Sequence, residues 1–514
     1  MEQKSRSDYS MLNIAAGFGG YILNFFIGLV CRMIFTRTLA VDYLGVNGLF
    51  TNILSMLSLA ELGIGTAIGY ALYKPLAIND QSRVASLMKF YAKCYHIIGI
   101  IVAILGLCLL PFLSLLIADP PNIKEDLSII FLLYLFNTAS SYFFSYRSAL
   151  LMAAQQNYLV TGINYLITII QSIVQIILLL ATHEYVWYLL VLIAGGLLNN
   201  IVISEITKKK YPYITYKNTP PLPDDDKKEL IGNVRALTIW KLSGLLVNQT
   251  DNLIITHFNG LATVGLASNY TLLSNSINSI LNILFNGITA SVGNHNALEN
   301  SESKYYLFKA INLSNFWLFG WASIGIFVCS TDIVKLLFGH NYALPLEIPF
   351  VIALNFYMVG MQSAVWTYKN TMGIFRQGRY LLFVTAAINL IASIFLGKIW
   401  GLFGILLATA ISRAFTNTWY DPYAIHKYGF GSSVKPYYKR YLLFAIIVVI
   451  TGGVCYYICS LLHFSLFVNV ILKFSVCCII PNGIFMFLFR KLPEFQYLLK
   501  FADKAFGKLK LFKR

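Results

Sequence analysis

The chain has 514 residues, of which 57% are hydrophobic and 12% charged, with a mean hydropathy of +0.66 and a formal net charge of +17. Soluble domains carry about 25% charged residues, so this composition excludes a soluble globular protein and points to an integral membrane protein. No Gly-rich or aromatic RNA-binding motif accompanies the basic excess, which turns it away from nucleic acid and toward membrane topology and anionic lipid.

A spanning helix needs about 20 apolar residues. On that length fourteen spans are predicted, at approximately 11–35, 43–70, 90–117, 127–150, 158–181, 187–206, 233–257, 264–292, 306–329, 346–370, 379–397, 400–420, 440–462 and 466–489. The first run exceeds the roughly 7–15 apolar residues of a signal-peptide core and follows Lys4 and Arg6, so a retained anchor with a cytoplasmic N-terminus is expected. Alternating sides from there, the outer side receives only Arg37, Lys124, Lys335 and Lys398, while Arg32, Lys241, Arg413 and Lys473 fall within spans. The remaining Lys and Arg gather on the inner side, as the positive-inside rule requires. Both termini are therefore expected in the cytoplasm.

The fold class expected is an all-α membrane protein of about 14 helices, with two pseudo-symmetric six-helix lobes and two C-terminal helices. The lobes are placed at 1–206 and 233–420, spans 13 and 14 at 421–490, and a basic amphipathic tail on the inner leaflet at 491–514. The stretch 207–232 is the expected cytoplasmic linker, with Lys208-Lys209-Lys210, then Pro220-Pro221-Leu222-Pro223, then Asp224-Asp225-Asp226. Internal repetition supports the two lobes. Ser145-Tyr146-Arg147 with Gln155, Tyr158 and Leu159 recurs, at an offset of 222, as Thr367-Tyr368-Lys369 with Gln377, Tyr380 and Leu381. A weaker echo pairs Gly45, Phe50 and Thr51 with Gly265, Tyr270 and Thr271 at an offset of 220. Repeats of this kind are a signature of transporters.

Charged residues at membrane depth cost about 2.5–3.5 kcal/mol on insertion scales, so each one asks for a reason. Glu61 lies near the middle of span 2, Lys241 and Asp251 in span 7, Arg32 in span 1 and Arg413 in span 12. They are expected to line a water-filled cavity that meets an anionic, phosphate-bearing substrate, since the planar Arg fork engages phosphate oxygens bidentately. The competing account has Arg32, Arg413 and Lys473 snorkelling to headgroups, and Glu61 and Asp251 paired for structure. For Lys473 snorkelling is the expectation. Asn275, Asn278, Asn282 and Asn286, with Ser279, keep to one helical face of span 8, and Asn248-Gln249-Thr250-Asp251 adds polar surface in span 7. Such a stripe either bonds to neighbouring helices or lines a cavity for sugar hydroxyls. Weaker candidates are Asn137, Ser140, Ser141, Gln171, Gln175, Asn199 and Asn200.

Enzyme signatures are missing from the sequence. Gly63 to Gly69 lacks the spacing of a dinucleotide loop, no Walker G-x-x-x-x-G-K-[ST] occurs, and His183-Glu184 has no second His to complete a metalloprotease motif. The three aspartates at 224–226 suit a solvated helix start better than a metal-dependent glycosyltransferase. Eight cysteines, none in a C-x-x-C pair, are expected to be packing residues, and neither metal nor cofactor is expected.

Tyr43-Leu44-Gly45-Val46-Asn47-Gly48-Leu49-Phe50 followed by Leu59-Ala60-Glu61-Leu62-Gly63-Ile64-Gly65 resembles the opening of the bacterial O-antigen and capsule repeat-unit flippases of the multidrug/oligosaccharidyl-lipid/polysaccharide exporter superfamily. Thr250-Asp251-Asn252-Leu253-Ile254-Ile255 and Gly401-Leu402-Phe403-Gly404 with Thr409 resemble the second-lobe patterns of that family. The resemblance implies a pair of lobes that flips a polyprenyl-diphosphate-linked oligosaccharide across the cytoplasmic membrane by alternating access. Glu61 matches the family's acidic position in span 2. Expected partners are the lipid-linked oligosaccharide, anionic membrane lipids, and the polymerase and glycosyltransferases of a polysaccharide pathway, with no nucleic acid. The rival is a multidrug or metabolite antiporter of the same superfamily, a group that usually has twelve spans and cavities suited to amphipathic cations. A membrane-embedded polymerase would need a larger outer loop than 330–345 provides.

Overall fold

The computed structural model describes residues 6–58, 64–113, 121, 123–154, 156–216, 219–298, 300–374, 377–378 and 380–500, and these form helices and short connections with no strand among them. The contacts cluster into two compact units, 1–265 and 266–514.

The first unit holds α1 (Arg6–Thr38), α2 (Val41–Leu57), α3 (Ile64–Ala77), α4 (Gln81–Leu109), α5 (Leu127–Ser141), α6 (Ser148–Ala153), α7 (Asn157–Thr182), α8 (Tyr185–Lys210) and the start of α9 (Asp224–Leu298). The second continues with α10 (Ser301–Phe338), α11 (Glu347–Met361), α12 (Ser363–Thr371), α13 (Leu381–Ala414), α14 (Asn417–Ala424), a π-helical turn at Ile425–Phe430, α15 (Lys435–Ser460) and α16 (Leu466–Phe489). Two of these helices are broken by glycines at positive φ, Gly260 (+80°) in α9 and Gly401 (+55°) in α13, a conformation that costs glycine little. The breaks divide spans 7 from 8 and 11 from 12, as the sequence predicts.

Ten helical stretches among the described residues are long and apolar enough to cross a membrane. The difference from fourteen has local causes. α2 and α3, 17 and 14 residues long, are each too short alone, the polar α9 is not among the ten, and 381–430 counts as one stretch despite its break. Outward faces are greasy, as on α4, where Ile97, Ile100, Ile101, Ile104 and Leu105 are exposed. Such surfaces suit lipid, and helices satisfy their own backbone groups there.

Helix starts carry the repeat. α4 begins at Gln81 behind Asp80, whose side chain accepts from Arg83 N at 2.9 Å. Its counterpart in the second copy is α10, which begins at Ser301 behind Asn300, and Asn300 accepts from Ser303 N at 2.9 Å. α2 begins at Val41, and the chain resumes helix after Gly260 at Leu261. α5 begins at Leu127 and α11 at Glu347. Three successive starts share one offset, so the two copies align without net insertion from 41 to 127.

The last two helices are bolted to α10. Phe316 stacks on Phe444 at 4.0 Å, Trp317 Nε1 donates to Asn482 Oδ1 at 2.6 Å, and Trp321 Nε1 donates to the Cys477 carbonyl at 2.9 Å. Lys473 departs from the snorkelling expectation. Its ammonium pairs with Asp332 at 2.6 Å on α10, because a carboxylate within reach satisfies the charge better than a stretch to the headgroups. All eight cysteines are free thiols, and four of them sit in the core between α10, α15 and α16. The 207–232 stretch is held down, with Ser86 Oγ donating to the Pro220 carbonyl at 2.8 Å and Arg83 paired with Asp226. Of the C-terminal tail, Glu494 and Phe495 are buried, and residues 501–514 lie outside the described residues.

Candidate ligand cavity

A cavity of about 690 Å³ opens in the first unit. α2 contributes Asn47, Thr51, Leu54, Ser55 and Ser58, which recur at 3- and 4-residue steps and so share one helical face. α3 brings Gly65, α4 brings Tyr91 and Tyr95 one turn apart, and α5 brings Tyr134, Asn137 and Thr138. Ser145, in the 3-10 turn Ser145–Arg147, and Ser148, Ala149 and Met152 of α6 close one side, with Leu192 of α8.

Among these described lining residues none is charged; hydroxyls, amides and phenols dominate. Several hydroxyls are held by their own helix. Ser55 Oγ donates to the Thr51 carbonyl at 2.7 Å, Ser58 Oγ to Leu54 at 2.8 Å, and Ser148 Oγ to Ser145 at 2.7 Å, which leaves lone pairs on each oxygen for a ligand. Tyr134 shares a 3.0 Å hydrogen bond with the fully buried Tyr185 of α8. Tyr91 and Tyr95 pack edge-on with ring centroids 4.4 Å apart. Their hydroxyls converge on Gly65: a Cβ there would stand 3.0 Å from Tyr91 Oη and 3.3 Å from Tyr95 Oη. The surface can accept and donate hydrogen bonds to a neutral polyhydroxy ligand, with aromatic rings at its back.

The residues singled out from sequence lie elsewhere or outside the described residues. Glu61 falls in the undescribed stretch 59–63, and the side chains of Lys241 and Asn248 likewise lie outside the described residues. Asp251 is half-buried on α9. Arg32 is half-buried on α1 and lies within electrostatic reach of Tyr188. Arg413 is half-buried near the end of α13. On the later part of α9, Asn275 is exposed, Asn278 and Asn282 are half-buried, and the Asn275 carbonyl accepts from Ser279 Oγ at 2.9 Å. Of the weaker candidates Asn137 does line the cavity. The stripe Asn47, Thr51, Ser55, Ser58 was missed, although the repeat could have found it, since Asn275 and Asn278 are the second-copy counterparts of Ser55 and Ser58. No group of three or more metal-ligating side chains able to hold an ion occurs among the described residues.

Set beside solved structures, the chain superposes on the lipid II flippase MurJ in an inward closed conformation with a TM-score of 0.63 at 14% identity, over 94% of this chain and 99% of that one. The chain shares the fold of that structure. An inward-facing multidrug resistance MATE family transporter of the MOP superfamily matches with a TM-score of 0.54 at 15% identity, over 76% of this chain and 91% of the other. The Vibrio cholerae MATE transporter VcmN matches with a TM-score of 0.53 at 12% identity, over 84% and 99%. At these identities the likeness is one of fold. No family model matches the sequence, and no curated relative does.

Proposed function

We propose that the protein is a flippase that moves polyprenyl-diphosphate-linked oligosaccharide repeat units across the cytoplasmic membrane by alternating access, in the assembly of a surface polysaccharide. The observation that carries this reading is the cavity lined by hydroxyls, amides and phenols with no charge among its described lining residues. An amide or hydroxyl moved into hydrocarbon without a partner costs roughly 2–7 kcal/mol, so a sugar needs a lining of this kind to cross. A volume of about 690 Å³ lies within the range of about 300–1,000 Å³ usual for small-molecule sites. The superposition on MurJ supports the same reading because it takes in nearly the whole chain, whereas the two MATE structures are almost fully used while covering 76% and 84% of it. Their shared fold keeps a multidrug or metabolite antiporter as the second reading.

In this proposal 1–206 and 233–420 are the two lobes, and both termini are cytoplasmic. Glu61, Lys241, Asp251, Arg32 and Arg413 serve the diphosphate and the charge movement, and Asn248, Asn275, Asn278 and Asn282 extend the polar path. Pathway polymerase and glycosyltransferases, together with anionic lipids, are the partners.

The test is flipping of a labelled polyprenyl-diphosphate oligosaccharide in proteoliposomes by the intact protein, Lys241→Ala and Glu61→Gln. Activity in the intact protein that both folded variants lose supports cargo class and charged path together. Export of a cationic dye with no flipping puts the antiporter in its place.

A further inference from the structure

The short repeat ends on a cation in each copy, and the two cations are held differently. Ser145-Tyr146-Arg147 closes on Arg147, and Thr367-Tyr368-Lys369 closes on Lys369. In the second unit Lys369 is neutralised. Its ammonium lies 2.6 Å from one carboxylate oxygen of the buried Asp421, and Trp366 Nε1 donates to the other oxygen at 3.3 Å. In the first unit Arg147 Nη1 donates instead to the hydroxyl of the buried Ser204 on α8, and the guanidinium lies over the Tyr146 ring, 5.2 Å from its centroid. Glu205, next to Ser204, is within electrostatic reach, but its carboxylate is bonded to Lys208. Among the described residues Arg147 forms no ion pair. The charge is anchored there without being neutralised.

The anchoring is specific. A buried serine fixes one arm of the guanidinium and a ring sets its plane, so the remaining N–H donors are held ready for two oxygens of one anion. An arginine that only snorkels keeps its head in water and needs neither support. Ser145 and Ser148, on either side of Arg147 in the chain, line the cavity, and Arg147 itself is half-buried. We propose that Arg147 is the diphosphate-binding residue of the first unit, holding the diphosphate of a lipid-linked cargo beside the cavity whose lining Ser145 and Ser148 supply. The inference rests on the flippase reading for its cargo. Lys369 has no such role, because Asp421 already supplies its anion. A phospholipid headgroup presents the same phosphate chemistry with a single phosphodiester. A diphosphate brings more charge and more oxygens to a bidentate fork, and so is favoured at this site.

The experiment is calorimetric titration of the purified full chain in detergent with farnesyl diphosphate, with farnesol and with a short-chain phosphatidylglycerol. Wild type is expected to bind farnesyl diphosphate at least tenfold more tightly than the other two. Arg147→Gln should weaken that binding about tenfold to a hundredfold, the worth of one or two charge-assisted hydrogen bonds, and leave farnesol binding unchanged. Arg147→Lys, which keeps the charge and loses the fork, should fall between them. Lys369→Gln combined with Asp421→Asn, which removes the second unit's pair without stranding a charge, should bind as wild type does. Size-exclusion elution and melting temperature check folding, and Arg147→Lys decides the matter if Arg147→Gln fails to fold. Diphosphate binding untouched in a folded Arg147 variant overturns the inference, as does a wild type that does not distinguish farnesyl diphosphate from farnesol. Phosphatidylglycerol bound as tightly as the diphosphate also overturns it, by making Arg147 a headgroup contact. The two readings fail separately. If wild type and Arg147→Gln flip a lipid-linked oligosaccharide equally in proteoliposomes, the flippase stands and this site falls. Diphosphate binding that depends on Arg147, with no flipping, leaves the site and removes the flippase.

Discussion

Gly45 and Gly265 hold reciprocal places in one helix crossing. A Cβ on Gly45 would lie 2.1 Å from the Leu261 carbonyl oxygen, and a Cβ on Gly265 would lie 2.7 Å from the Val41 carbonyl oxygen. Val41 and Leu261 are counterparts in the repeat, as the two glycines are. Both approaches lie within the first unit, and a glycine at each place lets the two backbones come this close, as in close-packed membrane helices.

Gly45→Ala is expected to lower the melting temperature of the detergent-solubilised protein, by the equivalent of about 1–3 kcal/mol for overpacking against backbone. Gly265→Ala should cost less, since its closest approach is longer. Gly69→Ala, with nothing within 4 Å of the added carbon, is the control and should melt at or above wild type. Equal melting of Gly45→Ala and Gly69→Ala would contradict the crossing.

The pair Tyr134 and Tyr185 should respond unequally to loss of a hydroxyl. Tyr134 faces the cavity, so Tyr185→Phe leaves it a route to water and costs about 1 kcal/mol. Tyr134→Phe strands the hydroxyl of the fully buried Tyr185 and should cost more, up to about 3 kcal/mol. Comparative thermal unfolding of the two variants reads the difference, and the opposite order would count against the cavity's position.

Lys473 and Asp332, 2.6 Å apart and both largely buried, make a pair that is costly to break from one side. Lys473→Met or Asp332→Leu alone should destabilise by about 3–5 kcal/mol, because each leaves a charge without its partner. The double variant should recover much of that loss. Chemical unfolding that finds the two single losses simply additive would show that the charges do not depend on one another.

Glu494 fastens the segment after α16. Its carboxyl contacts Arg440 at 3.0 Å and Lys309 at 3.7 Å, and Tyr306 Oη donates to the neighbouring Pro493 carbonyl at 3.1 Å. Burial pushes the carboxyl up, but its backbone hydrogen bond and the two cations outweigh that and hold it below the ordinary Glu value. A carboxyl depressed in the folded state contributes fully above the ordinary value and loses its contribution as pH falls through the depressed one. Proteolysis of the tail is therefore expected to stay constant through mild acid and to accelerate only as pH falls below the ordinary Glu value, and Glu494→Gln should be cleaved faster at neutral pH with a flatter acid response. A variant with wild-type pH dependence would remove Glu494 as the fastener.

Much of the plan was legible in the chain because bilayer thickness turns span number into a one-dimensional count. The cavity was not legible in that way. Tyr91, Tyr95 and Tyr134 look like interfacial aromatics when read in order, and Gly65 looks like a packing glycine, because phenols serve equally well at a headgroup belt and in a polar hollow.

Composition and the length of the apolar runs determined by themselves that this is a many-helix membrane protein, and the two nearly equal offsets of 222 and 220 pointed to two copies of one unit. Local properties sufficed there, since each span must be apolar, long enough and oriented by its own flanks. Only the tertiary structure decided that Lys473 meets Asp332 and that the two tyrosine hydroxyls of α4 converge on Gly65. Those are choices between faces of helices far apart in sequence, and they are settled by which side chains fit together when the faces pack.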